Sequence, residues 1–274
     1  MSLLAVAVSG RGVVDPDEPV LPADDEALLR GRAAFETVRV YGGRPFRLAE
    51  HLERLAGSAE LIGLPDVNRL ELEELARQAL EAAAAPDSVL RLYWTPAPRA
   101  LALVSPLPDH LDELRQRGQR LISLRGLRAD EPWLLPGVKS TSYAVNMAAE
   151  AEAKRRGADD AVFVDGEGVV LEGPTTNVWW RRGRILFTPS LDLGILAGIT
   201  RAVVLELAGG LGYEVEEGRY ERDALAGAEE AFTSSSVREV MPVTELDGAA
   251  LTRGPAADEL QAALRAAAEA TLPA

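Results

Sequence analysis

Apolar positions along this chain switch repeatedly between a period near three and a half and a period of two. In LAEHLERLAGSAELIGL (48–64) leucine and alanine recur three and four apart, and DVNRLELEELARQALEAAAA (66–85) does the same until Pro86. Both are predicted as amphipathic helices. RAAFETVRVYGGRPFRL reads as two strands joined by the turn Tyr41-Gly42-Gly43-Arg44, and SVLRLYWTP and RALALVSPL as a further strand pair. The residues before this block are expected to be irregular. Charges, Trp133 and two prolines mark 125–137 as a linker. The chain is therefore divided into a lobe at 1–124 and a second at 138–274.

In the second lobe a helix is expected from Lys139 to Lys154. It is followed by the strands DAVFVD and GVVLEG and by the hairpin NVWWRRGRILFTP, turning at Arg182-Gly183. A helix from Thr200, the strand YEVEEGRY, the pair EEAFTSSS and VREVMPVTELDG, and an alanine-rich helix at 257–272 complete the pattern. Helices and strands mix without a βαβ rhythm, which predicts an α+β fold and not a doubly wound sheet.

Composition narrows the chemistry. The 274 residues are 47% hydrophobic and 26% charged, an ordinary globular mix. A net charge of −14 opposes phosphate backbones and anionic lipid, so neither nucleic acid nor membrane is an expected partner. With no cysteine, a disulfide framework, a thiol nucleophile and thiolate metal sites are excluded. Two histidines, His51 and His110, leave little for a metal cluster or a histidine triad, and no metal is expected. The start MSLLAVAVSGRG lacks a basic region and a long apolar run, so a cytoplasmic location is expected.

Only two of the 29 basic residues are lysine, Lys139 and Lys154. Arginine stays protonated, whereas a desolvated lysine can lose its proton and act as a nucleophile. Lys154, with Arg155 and Arg156, fills the last turn of a helix before Gly157, where cations suit the helix dipole. Lys139 follows a Pro-Gly break among apolar residues and has no such explanation.

Four weaker signals accompany it. Glu172 ends an apolar strand before Gly173-Pro174, where a carboxylate is ordinarily solvated. Gly198-Ile199-Thr200 opens a helix whose free N–H groups suit an anion, although a plain threonine cap is the commoner case. The hydroxyl run from Thr233 to Ser236 can donate to phosphate oxygens or line an ordinary polar loop. Arg54 shares a helix face with His51, with Glu50 as the expected partner if it is only an exposed arginine. An amine for a Schiff base, a carboxylate for a pyridinium nitrogen and donors for a phosphate together describe pyridoxal 5′-phosphate.

The ordered segments FETVRVYGGRPFRLAEHLERL, VKSTSYAVNMAAEAEAKRRGADDAVFVDGEGVVLEGPTTNVW, ILAGITR and FTSSSVREVMPVTELDG resemble the class IV, fold-type IV pyridoxal-phosphate enzymes. Among these are branched-chain aminotransferases, D-amino acid aminotransferases and 4-amino-4-deoxychorismate lyases, and the resemblance runs from about Phe35 to Gly248. It implies a small α+β lobe and a larger pseudo-barrel lobe with the cofactor between them, usually in a homodimer. It implies that Lys139 forms the Schiff base and shuttles the proton, and that Glu172 keeps the ring nitrogen protonated. Arg54, Ile199, Thr200, Ser236 and Val237 would hold the phosphate, Ser236 being placed by its spacing to Glu239 and Pro242. Tyr143 would face the phenolic oxygen.

FETVRV, KSTSY and FTSSSVREVMPV look more like the lyases, which release pyruvate to give 4-aminobenzoate for folate synthesis, than like branched-chain aminotransferases. The alternative is a transaminase of D-amino or branched-chain substrates. Phe35, Arg39 and Arg99 are the candidate contacts to the small amino substrate, with Arg39 alternatively facing solvent. Two positions depart from the family pattern: Gly31-Arg32-Ala33 stands where Gly-Asp-Gly is common, and Thr95-Pro96-Ala97 where a Thr-Arg-Gly turn is common.

Overall fold

Two sheets with separate hydrophobic cores organise the chain. The computed structural model describes residues 3–97, 99–126 and 135–272. Contacts divide it into one unit of residues 1–108, 138–143 and 268–274 and another of 109–137 and 144–267.

The first unit contains β1 (Ala5–Val8), β2 (Gly12–Val14), α1 (Glu26–Arg30), β3 (Ala34–Tyr41), β4 (Arg44–Pro45), α2 (Leu48–Leu61), α3 (Arg69–Ala83), β5 (Ser88–Trp94) and β6 (Ala100–Ser105). Its sheet runs β2-β1-β6-β5-β3-β4, with every neighbouring pair antiparallel. The β3–β4 hairpin turns at Gly42 and Gly43, both at positive φ (51° and 79°), the backbone a tight two-residue turn needs. Leu52 and Leu55 of α2 and Leu72, Ala76 and Ala79 of α3 close one face over Val38, Val40, Leu90, Leu92 and Val104. A fully buried leucine contributes about 1.5–3 kcal/mol over an exposed one, so this helix-to-sheet layer is the unit's main source of stability. Asn68 caps α3 by accepting from the Glu71 N–H at 3.2 Å.

The second unit holds α4 (Leu111–Arg117), β7 (Gln119–Arg125), α5 (Ala144–Arg155), β8 (Asp160–Val164), β9 (Asn177–Arg182), β10 (Ile185–Pro189), α6 (Ile199–Ala208), β11 (Glu214–Gly218), α7 (Arg222–Ala226), β12 (Glu230–Ser235), β13 (Glu239–Leu246), β14 (Ala249–Ala250) and α8 (Ala256–Glu269). The strand order is β11-β10-β9-β12-β13-β7-β8, with β14 on β13. Parallel pairs at β10–β11, β13–β7 and β7–β8 join antiparallel ones, so the sheet is mixed. Leu121, Val162, Val178, Trp180, Ala231 and Val243 form its core.

Several expectations need correction. The start of the chain is not irregular: Ala5, Val6, Ala7 and Val8 are all buried in β1, a continuous apolar run that pairs on both edges. The first lobe ends at Pro108 rather than at 124, because β7 hydrogen-bonds to β13 and β8 of the second sheet. The segment 138–143 belongs to the first unit. Lys139 is not helical, since α5 begins only at Ala144 and Ser140 bridges to Ala34 of β3. GVVLEG forms only isolated bridges, Val170 to Val164 and Val169 to Glu221. Most of the expected linker, residues 127–134 with Trp133, lies outside the described residues.

Candidate active site

Lys139 is fixed by its backbone before its side chain acts. Its N–H donates to Ser58 Oγ of α2 at 3.1 Å, and its carbonyl accepts from the Phe35 N–H of β3 at 3.1 Å. The amine lies over two rings, 4.5 Å from the Phe35 centroid and 5.8 Å from that of Tyr143. Phe35 in turn meets Tyr143 edge-on at 5.3 Å and stacks on Tyr93 at 5.8 Å. Burial brings the Lys139 amine down to about 8; the Arg54 charge also lowers it, and the Glu36 charge opposes both. A sizeable neutral fraction therefore exists near neutral pH, which no arginine here can supply.

Glu36 organises the charges around that amine. It points to the helix face of β3, in step with Val38 and Val40, and is fully buried. It accepts from His51 Nδ1 at 2.7 Å and from Arg54 through Nε and a terminal nitrogen, each at 2.7 Å. Burial pushes its carboxyl up, but Arg54 and His51 outweigh that and hold it at about 2. Burial moves His51 below its ordinary value, so the imidazole is neutral at neutral pH and its Nδ1–H is the donor. The i,i+4 partner expected for Arg54 is thus incorrect: Glu50 pairs with Arg47 at 2.9 Å, and Arg54 reaches the sheet.

Arg39, Arg99 and the substrate-side departures lie in the same unit. Arg39 is 8% exposed with its guanidinium 5.2 Å from the Tyr41 ring, which rules out the solvent-facing alternative. Arg99 is half-buried between β5 and β6, its carbonyl accepting from the Thr95 N–H at 3.2 Å. Arg32, in place of the commoner aspartate, ties α1 to the end of α2 by bonding Glu26 and the carbonyls of Ile62 and Gly63.

A second cluster is built in the other unit. Glu172 is 4% exposed and accepts from the Leu196 N–H at 3.0 Å and from Asn177 Nδ2 at 3.4 Å. It is therefore held by neutral donors in a buried setting and is not a solvated strand end. Asn177 also donates to the Leu196 carbonyl at 3.0 Å, so one amide positions both the carboxylate and the loop entering α6. Gly198 starts that helix with no side-chain cap, and a Cβ there would come within 2.0 Å of Asn177 Oδ1. The N–H groups of Ile199 and Thr200 precede the first helical bond, Ala202 N–H to Gly198 carbonyl at 2.9 Å. Thr200 is therefore not the cap; its hydroxyl, like that of Ser236, has no hydrogen-bond partner among the described residues.

The hydroxyl run divides by role. Thr233 donates to Gln119 at 2.8 Å and Ser234 accepts from Trp179 Nε1 at 2.9 Å, both buried. Ser235 accepts from the Arg238 N–H at 3.3 Å, leaving Ser236 and Val237 at the tip of the β12–β13 turn. Sequence reasoning missed Glu36, Ser58 and Asn177. Glu36 alone left a trace, since it shares strand parity with Val38 and Val40. Each unit by itself carries part of the donor set a phosphorylated aldehyde calls for: the first a partly neutral amine, the second a buried carboxylate with an uncapped helix start and two hydroxyls.

The class IV amino-transferase family model matches residues 33–246. A bifunctional aminodeoxychorismate lyase / D-amino acid transaminase of Mycobacterium tuberculosis is 36% identical over 93% of this chain and 95% of its own. An aminodeoxychorismate lyase of Bacillus subtilis is 33% identical over 88% and 86% respectively. The solved PLP-bound form of a hypothetical aminotransferase from Mycobacterium tuberculosis superposes with a TM-score of 0.92 at 33% identity, covering 98% of this chain and all of the other. The chain thus belongs to the class IV aminotransferase family, the pyridoxal-phosphate-dependent enzymes of fold type IV.

Proposed function

We propose that the protein is a 4-amino-4-deoxychorismate lyase, converting its substrate to 4-aminobenzoate and pyruvate. The observation that carries an amine-dependent reaction is the Lys139 Nζ, desolvated over Phe35 and Tyr143 and held at about 8. The choice of lyase is supported by the two relatives that carry that activity in their names.

Bound pyridoxal phosphate supplies an aldehyde that captures amines and a ring that accepts the electron pair left when a proton departs from the neighbouring carbon. Lys139 Nζ is the amine that would hold the cofactor and, when free, would take the proton from the substrate carbon bearing nitrogen. Phe35 and Tyr143 keep water from that amine, and Tyr143 would donate toward the cofactor's phenolic oxygen. Glu172, held in place by Asn177 and the Leu196 N–H, is the carboxylate that would face the ring nitrogen and keep a proton on it. In the second unit the Ile199 and Thr200 N–H groups, the Thr200 and Ser236 hydroxyls and the Val237 backbone would hold the phosphate, and in the first unit Arg54 is the further candidate donor. Arg39 and Arg99 pair with substrate carboxylates.

Incubating the purified protein with aminodeoxychorismate and following both products tests the reading; equal yields of aminobenzoate and pyruvate are expected. The D-amino acid transaminase activity named in the 36% identical relative is the second reading. Under it, D-alanine with 2-oxoglutarate turns over while aminodeoxychorismate does not. A cytoplasmic homodimer accompanies the proposal, and light scattering at twice the chain mass checks the dimer. Among the described residues no helix is long and apolar enough to cross a membrane.

A further inference from the structure

Ser235 and Glu239 pair directly across β12 and β13, so Ser236, Val237 and Arg238 form a three-residue turn between them. Such turns usually place a left-handed residue at the exit, and glycine is the usual occupant because other residues are strained there. Here the left-handed residue is Glu239, the first residue of β13 just past the turn, at φ 59°. Its side chain is 1% exposed and lies among helices: it accepts from Arg115 of α4 at 2.8 Å and from Gln261 and Arg265 of α8 at 2.7 and 3.2 Å.

The same side chains grip the backbone on both sides. The Arg115 nitrogen that bonds Glu239 also donates to the Arg238 carbonyl at 3.1 Å, and Gln261 Oε1 accepts from the Val240 N–H at 2.9 Å. The Arg238 guanidinium is itself bound to buried Asp160 of β8. Three consecutive residues are thus clamped to α4, α8 and β8. The residues that the clamp leaves at the tip are Ser236 and Val237.

Hairpin formation alone does not call for this arrangement, since glycine would satisfy the backbone without burying a carboxylate. The strain and the buried charge make sense if the tip must be presented in one position. We infer that Glu239 is a positioning residue for phosphate recognition: its buried carboxylate, clamped by Arg115, Gln261 and Arg265, sets where Ser236 and Val237 meet the cofactor's phosphate. This rests on the reading that Ser236, Val237 and Thr200 bind that phosphate.

The test compares affinities of the full-length apoenzyme for pyridoxal phosphate and for pyridoxal, which lacks the phosphate. Glu239→Gly, whose backbone fits the left-handed position, is expected to weaken pyridoxal phosphate by about tenfold, one charge-assisted hydrogen bond's worth, while pyridoxal changes less than about twofold. Glu239→Gln and Arg115→Gln are read in the same assay, and both are expected to lower the ratio of the two affinities. They also cover the case in which the glycine variant does not fold. A wild-type ratio in the folded variants, or equal losses for both ligands, overturns the inference. Ser236→Ala and Thr200→Val separate the two levels: if they too leave the ratio unchanged, the phosphate assignment itself fails, and if they lower it while the clamp variants do not, only the role of Glu239 fails.

Discussion

Replacing Glu36 by glutamine keeps the shape of the side chain but removes the one negative charge between His51 and Arg54. The carboxyl's drop from 4.5 to about 2 corresponds to about 3 kcal/mol of preference for the charged form in the folded protein. Breaking a buried pair by removing one partner typically costs about 3–5 kcal/mol, which agrees in size. Because the folded value is depressed, this stability is present above pH 4.5 and is lost as pH falls toward 2. Glu36→Gln is therefore expected to lower the thermal midpoint by ~6–12 °C at pH 7, at roughly 2–4 °C per kcal/mol for a chain of this size, and the gap to wild type should close in acid.

The same substitution has a chemical consequence separable from stability. The Glu36 charge is what partly restores the Lys139 amine against burial and the Arg54 charge, so removing it takes that amine below about 8. The chain has only two lysines, so the rate of amine labelling against pH can be read at Lys139 by peptide mass spectrometry, with Lys154 as the internal control. The reactivity curve of Lys139 should move to lower pH while that of Lys154 stays. A variant with the wild-type midpoint and an unmoved Lys139 curve would falsify the argument that Glu36 governs this cluster.

Lys139→Met removes an amine whose folded pKa is lowered, so the apoenzyme variant should be more stable than wild type near pH 7. That advantage should shrink as pH rises from about 8 through the unfolded value of 10.5, as thermal melts over that range would show. Glu172→Gln should retain cofactor absorbance that borohydride abolishes, yet lose about 10²–10⁴-fold in turnover, the usual range for a misplaced proton; near-normal turnover would contradict its assignment to the ring nitrogen. In Gly198→Ala the new Cβ lands 2.0 Å from Asn177 Oδ1, so Asn177 must move. Overpacking of this kind costs about 1–3 kcal/mol, and calorimetry should find that loss together with weaker binding of pyridoxal phosphate.

What could be read from the amino acids followed from local rules. The heptad-like spacing around Leu52 and Leu55, the Gly42-Gly43 turn and the alternation in β3 are short-range signals, and each appears as an element where it was expected. Lys139 stood out because arginine replaces lysine nearly everywhere else. The errors were non-local. Nothing near Gln119–Arg125 tells β7 which sheet it joins, since its partners Asp160–Val164 and Val243–Leu246 lie far along the chain. Ser140, Thr141 and Ser142 look like the first turn of a helix until the start of β3 and the residue before it offer better partners: Thr141 N–H bonds the Ala33 carbonyl at 2.9 Å, and Ser140 bridges to Ala34.

That non-local pairing also explains why the lysine segment 138–143 is not helical. In a helix the Lys139 carbonyl would bond to a residue four positions on, and the amine would swing with its own turn. As a strand-like segment, it gives its carbonyl to Phe35 and takes Ser58 Oγ on its N–H, so it is registered against the strand and the helix that also carry Glu36 and Arg54. The point from which the amine extends toward its charged neighbours is then set by backbone hydrogen bonds to that strand and helix. Ser58→Ala should therefore leave the fold nearly intact, because it deletes one hydrogen bond of about 1 kcal/mol, but it should broaden the Lys139 reactivity curve toward the ordinary lysine range as the segment loosens. An unchanged curve in that variant would mean that the Phe35 hydrogen bond and the ring contacts alone suffice to hold the amine.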